Sequence, residues 1–418
     1  MPIERFLIVD ENDTTALMWT LLLQNLGYKN VEHAKTGYEG LDKAKRGNAQ
    51  FIITCWENSS LPGTIFIQKA RQELKKKYIP FLIYSTRLNN EDVRLLGELN
   101  YKNVLPAPID KAAAGKLIAE ILEFENKLPA EETRLRKIES YFAAGKNTDA
   151  LSLFDGKIRK KGPYFVRAHI LLARIWLSSA QHKKAEECIQ LALADEPENF
   201  DARSILANIL TGLGRSDEAL DILMKMSNSS PKNIEALLNL GSAYVEADKH
   251  EESAATFGQI DLLDPDNKPV KDEKAKLAFK VGDIPLAAKL LAETQNGDML
   301  SRHFNNVAIA LVQKQQFEKA LETYRNAISL LNNKASLHAL FYNMGLALSK
   351  KGDHAQALSA FLESYRAKPA FEKSYLAMAK TAQTMKDAGT KYDSELVKEA
   401  NQIRRKYKDS LPKGSSVS

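Results

Sequence analysis

The chain has 418 residues, 44% hydrophobic and 27% charged, with a formal net charge of +6; that is too long for one ordinary core and sets an expectation of two domains, one a repeat array. Two cysteines, Cys55 and Cys188, are too few for a disulfide framework or a cysteine-rich zinc centre. The first ten residues lack a signal peptide's basic and apolar regions, and no uncharged apolar run approaches the roughly 18 residues of a membrane helix. These features lead us to expect a cytoplasmic protein without membrane insertion. Lys and Arg alternate with Asp and Glu almost everywhere; the dense basic runs Lys75, Lys76, Lys77 and Arg404, Arg405, Lys406 read as solvated helix faces, so nucleic acid is not an expected partner.

In chain order, short apolar runs at 5–9, 31–34, 51–55, 81–85 and 103–105 alternate with helical patterns at 14–26, 40–46, 65–77, 90–99 and 112–128. This alternation predicts a five-stranded parallel sheet covered on both faces, with any chemistry beyond the carboxyl ends of the strands. Those ends carry Asp10 and Glu11, Cys55, Ser85, and Ala107 followed by Pro108. The last helical pattern has a broad apolar face of Ala113, Leu117, Ile118, Ile121, Leu122 and Phe124. Part of it is expected on the sheet, and the remainder against a partner or the next domain.

The constellation at the strand ends resembles the receiver domain of two-component response regulators, over about residues 1–126. The resemblance implies a flavodoxin-like α/β fold in which an acidic pair after strand one binds Mg²⁺. It further implies an aspartate ending strand three as phosphoryl acceptor, a Ser or Thr ending strand four, and a Lys before a proline after strand five. Asp10, Glu11, Ser85 and Pro108 match. Cys55 stands at the acceptor position and Ala107 at the lysine position. A thiol offers Mg²⁺ a soft ligand where a hard oxygen is preferred, and without the lysine no cation neutralises an acyl phosphate. Glu57 is expected in the loop, without restoring the acceptor. The degenerate site Asp10, Glu11, Cys55, Ser85, Ala107 therefore reads as a pseudo-receiver. Cys55 is expected as a quiet thiol, Asp10 and Glu11 as a solvated relic, and Ser85 as a hydroxyl bonded to backbone. No cofactor or metal is expected; a weak divalent ion at Asp10 and Glu11 is the alternative.

From residue 131 a second register takes over. Pro197, Pro231 and Pro265 stand 34 residues apart, each preceded by small residues twelve and twenty-four positions earlier: Ala185 and Ala173, Ala219 and Ala207, Ser253 and Gly241. Small residues let two helices approach, and the proline ends the second. The frame resembles the tetratricopeptide repeat family over about 131–371, implying an all-α superhelical solenoid of six to seven repeats. The expected domains are 1–128, the array 131–371, capping helices 372–408 and a disordered tail 409–418. The fifth repeat is expected to end early, at Asn296 and Gly297.

In the family's register the concave face includes Arg167, Ile170, Arg174, Ser204, Asn208, Leu238, Ser242, Arg302, Asn305 and Tyr342. These polar and basic groups suit an extended peptide or an acidic helix. The family's carboxylate clamp is absent, because Ile170/Arg174, Ser204/Asn208 and Asn305/Ile309 occupy its two positions. The scattered histidines make no metal pair with carboxylates, and no phosphate-cradling loop or nucleophile elbow is present. The expectation is a non-catalytic adaptor of a phosphorelay-type system whose partners include a histidine kinase or another response regulator, with homodimerisation through the receiver-like domain as a further possibility. The alternatives are an assembly factor for an envelope, pilus or motility machine, and a regulator switched by Cys55 oxidation or a ligand.

Overall fold

Strands β1 (Arg5–Val9), β3 (Phe51–Cys55) and β4 (Phe81–Ser85) are apolar runs buried almost throughout, as a parallel sheet covered on both faces requires. They were resolved in a computed structural model that describes residues 3–47, 49–74, 78–154, 164–331, 337–387, 398–399 and 402–403. The basic runs 75–77 and 404–406, the tail 409–418 and most of the expected cap beyond 387 lie outside the described residues. With β2 (Asn30–Ala34) and β5 (Val104–Pro106) the strands form one parallel sheet in the order β2-β1-β3-β4-β5. Val9 pairs with Thr54, Cys55 with Tyr84, and Ser85 with Pro106, so the carboxyl ends lie side by side.

The helices between the strands are α1 (Asp13–Asn25), α2 (Gly37–Lys45), α3 (Gly63–Glu73), α4 (Asn90–Glu98) and α5 (Lys111–Asn126). Side chains placed locally start several of them: Asn12 accepts the amides of Thr14 and Thr15, and Asn89 with Asp92 forms a capping box at α4. Trp19 and Leu23 of α1 share a core with Ile118, Ile121 and Leu122 of α5. Ala113 and Phe124, expected on that apolar face, are exposed, and Ala114 is buried in their place. Helix α3 stops at Glu73, short of the expected end, because Leu74 is already extended.

Seven helix pairs follow among the described residues: α6 (Ala130–Ala143) with α7 (Asn147–Ser152), α8 (Phe165–Ser178) with α9 (His182–Asp195), α10 (Phe200–Gly212) with α11 (Ser216–Ser229), and α12 (Ile234–Glu246) with α13 (His250–Leu263), then α14 (Lys268–Val281) with α15 (Ile284–Glu293), α16 (Gly297–Gln313) with α17 (Phe317–Leu330), and α18 (His338–Lys351) with α19 (His354–Ala367). Helix α20 (Glu372–Asp387) then buries Met378 and Met385 against the last pairs. The chain divides into two compact units, Met1–Asn267 and Lys268–Ser418. The sheet domain and the first four helix pairs cohere as one unit.

The periodic small residues sit where paired helices touch. Ala173, Ala185, Ala207, Ala219 and Ser253 have no exposed surface. A Cβ on Gly241 would come within 2.3 Å of the Phe257 ring, and the Ser253 hydroxyl donates to the Gly241 carbonyl at 2.9 Å. Gly258, in mid-helix α13, faces open space. Thermal or denaturant unfolding should therefore separate them. Gly241→Val is expected to cost about 1–3 kcal/mol by overpacking, whereas Gly258→Ala should gain about 0.5–1 kcal/mol from helix propensity.

Candidate functional site

At the carboxyl edge of the sheet, Asp10 is buried, with one carboxylate oxygen taking the Asn12 amide at 2.9 Å and the other the Tyr84 hydroxyl. Its burial corrects the expectation of a solvated relic: Tyr84, opposite Cys55 on the neighbouring strand, reaches across beneath it. Burial and the Asp10 carboxylate both push the Tyr84 phenol up, which keeps it a donor. Glu11 turns towards the β3–α3 loop, where it accepts the Ser59 hydroxyl at 2.7 Å and the Ser60 amide at 2.8 Å; these bonds hold its carboxyl below the usual range.

Cys55 ends β3, and its thiol lies 3.5 Å from Glu57. Burial first, then the charges of Asp10 and Glu57, push this thiol up to about 12. Glu57 is in the loop as expected, but its carboxylate reaches the end of β4. One oxygen accepts the Ser85 hydroxyl at 2.5 Å, the Thr86 amide at 2.9 Å, the Thr86 hydroxyl at 3.1 Å and the Arg87 amide at 3.0 Å. Ser85, expected to bond to backbone, therefore gives its proton to a side chain and only accepts from a backbone group, the Arg87 amide at 3.1 Å. Burial opposes ionisation of Glu57, yet the Ser85, Arg87 and Thr86 bonds outweigh it and leave the carboxyl below its ordinary 4.5. Its contribution to stability is thus present above that value and lost as pH falls through the lowered folded pKa. Ala107 follows β5, its amide donating to the Ser85 carbonyl at 2.8 Å, and it brings no charge to the edge.

Within the first unit, helices α3 and α4 tie the sheet domain to the array, and part of the contacts falls at the array's own period. Arg167, Asp201 and Glu235 stand 34 residues apart at the start of α8, α10 and α12. Arg167 binds Glu132, Glu139 and the Tyr78 hydroxyl, at 2.7, 3.2 and 3.1 Å. Asp201 pairs with Arg71 of α3 at 3.2 Å, and burial raises the Glu235 carboxyl despite the Arg71 charge nearby. The turns before the helices serve in the same way. Ser230 and Asn233 donate to Glu98 of α4 at 2.5 and 2.9 Å, and Lys232 meets Glu91 and Asp92, each at 3.2 Å. Arg94 donates to the Ser229 carbonyl at 2.6 Å. Gln68 of α3 bridges backbone like an added strand residue, donating to the Lys232 carbonyl at 3.0 Å and accepting the Ile234 amide at 2.8 Å. Lys69 pairs with Asp264 at 2.9 Å, and their side chains are 7% and 1% exposed. A second oxygen-bound group completes that pair: Asn267 donates to Asp264 at 3.0 Å.

The expected groove residues separate accordingly. Arg167 is engaged internally, Ile170 is buried, and Ser204 is buried and accepts from Asn239 at 2.8 Å. Arg174, Leu238 and Ser242 are half-buried, and Asn208 is exposed. In the second unit Arg302 is exposed, Asn305 accepts from Asn343 at 2.6 Å, and Tyr342 packs against Phe361 and Phe371. Missed by sequence reasoning were Asp201 and Glu235, which the 34-residue step from Arg167 would have found, and the Asn199, Asn233, Asn267 series two residues after each proline. Asn199 and Asn233 cap helices, and Asn233 also holds Glu98.

Two measurements check this geometry. Lys69→Ala or Asp264→Ala leaves a buried charge unpaired and should cost about 3–5 kcal/mol in unfolding free energy, while Lys69→Met with Asp264→Leu should recover most of it. Alkylation of the folded protein at pH 8 should leave Cys55 largely unmodified, with reaction rising only at strongly alkaline pH or on unfolding.

Comparison with known proteins agrees with both halves. A tetratricopeptide repeat family model matches residues 141–209 and 210–277, and a second model of the same repeat matches 338–371. Chemotaxis protein CheY-3 of Vibrio cholerae is 24% identical over 119 residues, covering 28% of this chain and 92% of that protein. Human tetratricopeptide repeat protein 13 is 23% identical over 201 residues, covering 47% of this chain and 23% of that protein. Among solved structures, a tetratricopeptide repeat protein from Parabacteroides merdae is 16% identical and covers 60% of this chain and 98% of its own, with a TM-score of 0.39. No described helix is long and apolar enough to cross a membrane. The chain joins a CheY-like receiver domain, over about its first 120 residues, to a run of tetratricopeptide repeats.

Proposed function

We propose that this protein is a non-catalytic signalling adaptor whose receiver domain takes no phosphoryl group and serves as a fixed arm on the repeat array. The observation that carries this reading is the Glu57 carboxylate, which already occupies the Ser85 hydroxyl and the two following amides beside a cysteine at the acceptor position. The donor set does not fit Mg²⁺: Asp10 is engaged by Tyr84 and Asn12, Glu11 by Ser59 and Ser60, and the third position is a protonated thiol. The raised Cys55 pKa also counts against a peroxide-sensing thiolate.

Partner binding falls to the array, where repeats of this kind offer surface for another protein. In the first unit the leading ends of α8, α10 and α12 already hold the receiver. In the second unit, α16 presents Arg302 with Ile309, and α18 presents Leu346, all exposed. An exposed cation together with exposed apolar side chains on these helices suits an acidic amphipathic segment, such as an acidic face of a kinase or another response regulator.

Incubation of the full chain with acetyl phosphate and Mg²⁺, read by intact mass, is expected to give no phosphoryl adduct. A stable adduct that disappears in Cys55→Ala or Glu57→Gln would contradict the reading. Arg302→Glu should weaken capture of the partner about ten-fold, the effect of about 1.4 kcal/mol, without changing thermal stability. Capture of envelope or motility components by the full chain, in place of signalling proteins, would favour the assembly-factor reading.

A further inference from the structure

We propose that Glu57 is a positioning residue that couples the carboxyl edge of the receiver sheet to the grip of α4 on the array, whatever partner the array binds. The path is short and continuous. Glu57 holds Ser85, Thr86 and Arg87, the last residue of β4 and the first two of the loop that follows. Asn89, two residues on, caps α4 through the Asp92 amide at 2.9 Å, and Asp92 in turn accepts the Asn89 amide at 3.3 Å. The same Asp92 carboxylate accepts Lys232 of the array at 3.2 Å through its other oxygen. One carboxylate thus closes the helix cap and anchors the turn before α12. Its side chain is 7% exposed, so it has little room to serve one role without the other.

The whole of α4, nine residues and about 13 Å long, is one rigid piece. Arg94 on the Ser229 carbonyl and Glu98 on Ser230 and Asn233 extend the same grip along the turn. If the loop from Ser85 to Asn89 loosens, the cap of α4 loosens, and Lys232, Ser230 and Asn233 lose a fixed partner. The coupling must also run in reverse, since a coupling free energy between two sites is reciprocal. Weakening the array side should free the loop at Thr86 and Arg87.

Amide hydrogen exchange on the full chain reads both ends. The Thr86 and Arg87 amides report the Glu57 bonds, and the Ile234 amide, bound to Gln68, reports docking. Glu57→Ala is expected to speed exchange at 86–87 and also at 229–235, the latter by about five-fold or more. Glu57→Gln, which keeps the accepting oxygen, should stay near the wild type at 229–235. Lys232→Ala, which touches neither Glu57 nor the loop, should speed exchange at 86–87. Faster exchange confined to 86–87 in Glu57→Ala, or unchanged exchange at 86–87 in Lys232→Ala, would overturn the proposal. Should Glu57→Ala lose protection throughout the chain, the Glu57→Gln and Lys232→Ala results decide.

Discussion

The first unit depends on a charge pair almost wholly removed from water. Lys69 on α3 and Asp264 in the turn before α14 lie almost wholly buried, and neither could be tolerated there alone. Desolvating two ions offsets much of their attraction, so the pair contributes less to net stability than to specificity: α3 can settle at this turn and at no neighbouring one without stranding a charge. Around it, the Gln68 bridge to backbone and the Arg71–Asp201 pair follow the same line of turns. The receiver is thereby held along an edge whose contact positions recur every 34 residues.

That arrangement changes what each half can do. Residues of α3 and α4 are given to the array in the same chain. The array's groove in the first unit is altered in turn, since Arg167 binds Glu132, Glu139 and Tyr78. At the carboxyl edge of the sheet, Glu57 satisfies the Ser85 hydroxyl and the Thr86 and Arg87 amides. Cys55, at the position the resemblance gives to the acceptor, is followed two residues on by a carboxylate that closes the loop by itself. Under the proposed function, these two features suit a receiver fold kept for its shape and held in one state.

Much of this was legible in the residues themselves. The 34-residue frame of small residues and prolines marks where α8 to α13 pair, because helix approach tolerates only Ala, Gly or Ser at those contacts. The strand ends were legible because apolar runs stop where the chain leaves the sheet. The early end of the fifth repeat also appears, with α15 ending at Glu293 and α16 starting at Gly297. The docking was not legible. Asp201, Glu235 and Asp264 look like ordinary solvated acids on a repeat surface, and only the fold brings Lys69 and Arg71 to them. Asp10 was misplaced for a similar reason: nothing in the spacing shows that Tyr84 on β4, two strands away, would reach it. Glu57 was correctly placed in the loop, but a loop's direction depends on hydrogen bonds with a segment thirty residues away.

The central claim, a receiver domain fixed on the array edge and indifferent to phosphodonor, is tested most directly by a distance distribution between spin labels at Lys116 on α5 and Asp221 on α11, both exposed. The account predicts one narrow distance that does not change when acetyl phosphate and Mg²⁺ are added. A broad or two-peaked distribution, or a shift on adding the phosphodonor, would contradict it.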